Sequence, residues 1–194
     1  MKQTLFNNGF LVKAAYSSPN AMYPPLKSSY RGIGKFTSWP LEWKNDIVSK
    51  SLDKEAWDKW FGYQNVFEVV PDKQYLQRYI EHCNELEIKT MLLMIETPLD
   101  MYQDVDSLEV IECLGFDIMD CVGFSYLVMD IDYYDPECAV FSVAKKLNSN
   151  GLYASLDDAY EHINVRDSLL MSGVNLEHSD DWGPFPARLS IVKL

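Results

Sequence analysis

Five consecutive apolar residues, Met91-Leu92-Leu93-Met94-Ile95, constrain the fold more than any other feature of this chain. The run has strand length, shows no polar alternation and closes at Pro98, so it predicts a strand covered on both faces and therefore central in a sheet. Just before it, after Pro71-Asp72, residues Tyr75, Leu76, Tyr79, Ile80, Cys83 and Leu86 recur at helical spacing. A helix feeding into such a strand suggests an α/β layer.

Other elements follow from caps and breakers. Ser51 is placed as a helix N-cap, with Asp53 and Glu55 in a first turn where the helix dipole favours acids, and the helix ends near Phe61-Gly62. Val66–Val70 is strand-like. Val110-Ile111 and Phe116-Asp117-Ile118 read as strand material near a surface. Asp135-Pro136-Glu137 opens a helix that Asn150-Gly151 stops. Ser155 and Asp158 stand in capping-box relation, and Leu156, Ala159, Tyr160 and Ile163 share the face of the helix they open. Leu189–Val192 suggests a last strand.

Together these elements predict an α+β or α/β fold, with one mixed domain over residues 1–194 and a central sheet packed by about four helices. Residues 1–48, punctuated by Asn7-Asn8-Gly9, Pro24-Pro25 and Gly32-Ile33-Gly34, form a turn-rich N-terminal segment, and residues 171–194 a loop-rich tail. A chain of 194 residues buries roughly 70% of its unfolded surface. With 47% apolar residues, disorder is excluded for most of it.

Cys83, Cys113, Cys121 and Cys138 form no Cys-x-x-Cys unit and read as reduced core residues. The N-terminus carries no signal-peptide core, and no apolar run reaches the length of a membrane span. A cytoplasmic location is expected.

Charge is distributed unevenly. Between Lys89 and Lys145 there is no basic residue, yet twelve acids lie there, equal to the net charge of −12, while the rest of the chain carries seventeen of each sign. Like charges repel, and a folded surface ordinarily mixes both signs. One reading is a solvated face that serves solubility. The other is a surface that steers a basic protein partner, with aromatic side chains as anchors. On that reading the partner-binding residues are Asp104, Asp106, Asp117, Asp120, Phe124, Tyr126, Asp130, Asp132, Tyr133 and Tyr134. The missing positive patch argues against direct nucleic-acid binding.

Catalytic templates fit poorly. Asp130-Ile131-Asp132 with Asp135 offers carboxylates for a divalent metal, and a small metal-dependent hydrolase or transferase is the alternative function. Tyr134 and Asp135 stand where the calcium-loop template needs an acid and a glycine, so no metal and no cofactor are expected. Gly123-Phe124-Ser125 lacks the closing glycine of a nucleophile elbow, and Arg31–Lys35 lacks the first glycine of a phosphate loop. His82, His162 and His178 form no ligand pair, and the first two are expected near helix surfaces. A non-enzymatic role is predicted, with a non-catalytic adaptor as a further alternative.

Four short segments carry a family resemblance: Leu114-Gly115-Phe116-Asp117-Ile118-Met119-Asp120, then Ser125-Tyr126-Leu127, then Leu147-Asn148-Ser149-Asn150-Gly151-Leu152-Tyr153, then Ser155-Leu156-Asp157-Asp158-Ala159. In this order, across residues 110–162, they resemble small acidic bacterial immunity proteins of polymorphic toxin systems. After Ser-x-Leu the chain departs from that pattern with Val128-Met129-Asp130. The resemblance implies a toxin inhibitor that binds and occludes a cognate toxin domain, often a basic nuclease, and so protects the producing cell in bacterial competition.

Overall fold

The apolar run forms β2 (Thr90–Thr97), and it is central: β1 (Phe6–Ala14) lies on one side and β4 (Phe185–Lys193) on the other, with β3 (Glu109–Met119) beyond β4. The computed structural model describes residues 3–14, 72–85, 87, 90–100, 104–119, 125–127, 146–174 and 184–194. The helices expected from Ser51 and Asp135, the strand at Val66–Val70 and the Arg31–Lys35 loop lie outside the described residues. All three strand pairings in the order β1-β2-β4-β3 are antiparallel. The fold is therefore mixed α+β, and the parallel α/β layer is not what these strands build.

Alternation along β2 divides two cores. Leu92 and Met94 join Phe10, Val12 and Val192 beneath α1 (Lys73–Glu85), whose Leu76, Tyr79 and Cys83 are buried against them. Leu93 and Ile95 point the other way, into a cluster with Leu11, Ile118, Ala187, Leu189 and the Ala159 and Ile163 of α2 (Leu156–Met171). Both faces of the sheet are thus covered, which is why β2 tolerates no polar alternation. No described helix is long and apolar enough to cross a membrane.

Two stretches that read as punctuation are strand. Asn7-Asn8-Gly9 sits at a register shift in β1. The buried Asn8 amide donates to Thr97 Oγ1 (2.7 Å) and the Leu99 carbonyl (2.8 Å), while Gly9 adopts φ +118°, open to glycine for want of a Cβ. The tail expected to be loop contains β4, complete with Pro186. The β2 pairing of β4 runs only from Arg188 to Ile191, so among the described residues Pro186 has a sheet neighbour, Ile118, on one side only. A residue without an N–H is tolerated where a strand is paired along one edge.

α2 begins as its cap residues predict: Asp158 N–H donates to Ser155 Oγ at 3.1 Å. The reciprocal contact differs from a standard capping box, since the Asp158 carboxylate meets the Ser155 hydroxyl rather than the backbone N–H. α1 has no acid in its own first turn. Asp106 supplies one from the β2–β3 connection, accepting from Lys73 N–H at 2.7 Å.

Candidate functional site

β3 is two different half-strands. Glu109, Val110, Ile111, Glu112 and Cys113 are all exposed, whereas Leu114–Met119 turn inward, with only Phe116 partly accessible. The change occurs at Gly115, whose φ of +133° brings the backbone so close to its neighbours that a Cβ there would lie 2.6 Å from the Tyr153 carbonyl. Phe116 and Tyr153 exchange backbone hydrogen bonds of 2.8 and 2.9 Å. Asn148 and Asn150 each donate a side-chain N–H to the Leu114 carbonyl, at 2.8 and 3.2 Å.

Asn148 also builds the turn that delivers Tyr153. Its Oδ1 accepts from the backbone N–H groups of Asn150 and Leu152, and its own N–H donates to the Leu152 carbonyl at 2.8 Å. Ser125 bridges to Met119 and donates its hydroxyl to Asp117 Oδ1 at 2.8 Å. Lys146, just before the turn, pairs with Glu161 and Asp158 of α2. Those acids hold its ammonium above the ordinary lysine pKa, the Glu161 hydrogen bond contributing most.

The described residues of the four segments that carry the resemblance therefore converge on one place, the inner half of β3 with the turn and helix cap packed against it. Asp117, Ser125, Asn148, Asn150, Ser155 and Asp158 all form side-chain hydrogen bonds within the fold. Asp117 is fully buried, and Oδ1 also accepts from Ile118 N–H. Tyr126 is fully buried and lies under the Arg166 guanidinium, 4.3 Å from its ring centroid. The surface reading is corrected for these two residues: a side chain with no solvent exposure offers a partner no contact, and both serve the interior.

His162 is likewise corrected. It is buried inside α2, its Nδ1 2.8 Å from the Tyr153 hydroxyl. With Ala159, Ile163 and Arg166 it completes the inward stripe, so two polar residues occupy positions that spacing alone marks as core. Ser125 engages Asp117 and His162 engages Tyr153, which is not the serine-to-histidine order of a nucleophile relay. Among the cysteines, Cys83 is buried as expected, but Cys113 is exposed because it falls in the outer half of β3.

No protein-family model, curated protein or solved structure matches this chain.

The acidic segment resolves into acids with internal work and acids without it. Glu96 forms a fork with Arg188 across β2 and β4, with Nε to Oε2 at 2.7 Å, and this bond raises the guanidinium pKa further. Asp106 holds the start of α1, and Asp117 is interior. Asp100, Asp104, Glu109 and Glu112 are exposed without such a role, and Asp106 is exposed as well. Asp120, Phe124, Asp130, Asp132, Tyr133 and Tyr134, with the metal candidate Asp135, lie outside the described residues. Among the described residues no group of three or more His, Cys, Asp or Glu is placed to hold a metal.

One open cleft of about 500 Å³ lies beside the start of α2, lined by Gln3, Leu5, Phe116, Leu156, Asp157, Tyr160 and Arg188. Its cation, Arg188, is already engaged by Glu96.

Proposed function

We propose that this chain is a non-catalytic inhibitor of the immunity-protein class, which docks on a basic toxin domain of a polymorphic toxin system through exposed acids. The observation that carries the reading is the split of β3: an interior half consumed by packing, and an outer half that exposes Val110 and Ile111 between Glu109 and Glu112. Apolar side chains flanked by Glu109 and Glu112, with Lys193 of β4 the one cation opposite Glu109 among the described residues, suit association with a surface of mainly positive charge. Asp100 and Asp104, in the connection leading to β3, extend the same sign of charge.

The inner serine, aspartate and histidine support the same reading, because their hydrogen bonds stabilise the fold. The proposal includes two more helices, after Ser51 and after Asp135, completing about four around the sheet. It also places the protein in the cytoplasm, where an inhibitor meets toxin before export. The test is coexpression with a cognate toxin domain. Cells carrying both are expected to survive where cells carrying the toxin alone do not, and equal killing in both would overturn the proposal.

A further inference from the structure

We propose that the outward edge of β3 at Glu109–Cys113 receives an extended, lysine- or arginine-bearing segment of the partner protein as an added strand. This rests on the inhibitor reading and specifies where, and by what geometry, the partner is held. A sheet edge presents unpaired backbone donors and acceptors, which a second chain can complete. Along β3 that edge is closed from Leu114 onward by Asn148, Asn150, Tyr153 and Ser125. Before Leu114, no described residue pairs with it.

The open stretch is also chemically selective. Val110 is 49% and Ile111 57% exposed, both β-branched and suited to strand pairing. Ile111 is the extra residue of a bulge, since Val110 pairs with Val192 and Glu112 with Ile191. Bulges and charges on an edge ordinarily discourage aggregation. Here both charges on the open strand are acidic, and Lys193 faces Glu109 from the paired side, on β4; a second copy docking on the open side would bring glutamates against glutamates, whereas a basic strand meets complementary charge there, most of all at Glu112. The occupant is therefore a basic segment of another protein.

The probe is a short peptide alternating lysine and valine, with a glutamate–valine peptide as control, added to the full-length chain and read by amide hydrogen exchange. Exchange at residues 109–113 is expected to slow about tenfold at a lysine peptide concentration about ten times Kd. The protection should disappear at high salt and be absent with the glutamate peptide. The double variant E109K/E112K, which changes exposed positions only, should transfer protection to the glutamate peptide. Unchanged exchange at 109–113 would overturn the proposal. Protection confined to residues 100–106 would overturn the strand geometry while leaving the inhibitor reading intact, and concentration-dependent protection without peptide would identify a second copy as occupant and overturn the choice of a basic partner.

Discussion

Ser125 donates its hydroxyl to Asp117 at 2.8 Å, and solvent reaches neither side chain to any useful extent. An acid from the most acidic part of the chain is thus an interior hydrogen-bond acceptor. Asp117→Ala should destabilise the fold by about 1–3 kcal/mol, because it strands the Ser125 hydroxyl and the Ile118 N–H. Asp104→Asn, at an exposed position, should stay within about 0.5 kcal/mol of the parent. Paired denaturant titrations check both values.

Gly115 is fixed by contact as well as by conformation. Gly115→Ala would set a methyl carbon 2.6 Å from the Tyr153 carbonyl at a φ of +133°. The Phe116–Tyr153 pairing would have to open, at about 1–3 kcal/mol. Thermal unfolding measures the loss, and hydrogen exchange at Phe116 and Tyr153 should rise before that of β2.

Ser155 satisfies one N–H at the start of α2. Ser155→Ala should cost about 1 kcal/mol, and Ser155→Asn should recover most of it because an amide oxygen can accept the same bond. Chemical denaturation of the two variants compares them directly.

Lys146 gives the stability a predictable alkaline dependence. Its pKa is raised in the fold by Glu161 and Asp158, so its contribution is complete below the unfolded lysine pKa and is lost as pH rises through the folded value. Lys146→Met should therefore flatten the stability profile in that alkaline window and leave its shape at neutral pH unchanged. Unfolding midpoints across the alkaline range test this.

The sequence expressed packing more clearly than polar placement. Met91–Ile95 read as a buried central strand because continuous apolar character has few other uses, and Ser155 with Asp158 read as a cap because the contact is local. β4 was half hidden: Leu189–Val192 looked like strand, while its first residues fell in the stretch read as a loop-rich tail. Only the short reach of the β2 pairing explains how Pro186 fits. His162 and Arg166 share the helical spacing of Ala159 and Ile163, a signal of burial that their polarity obscured. The buried Asp117 and the exposed but helix-capping Asp106 could not be told from the other acids, since Ser125 is eight residues from one and Lys73 thirty-three from the other.

The central claim is that exposed acids, and not interior ones, guide this chain to a basic partner. The most direct measurement is the association rate with the proposed basic toxin domain, at low and high salt. The combined variant D100N/D104N/E109Q/E112Q is expected to associate about tenfold more slowly at low salt and to lose most of its salt dependence. Asp117→Asn should leave the rate per folded molecule unchanged. An undiminished low-salt rate in the combined variant would contradict the account.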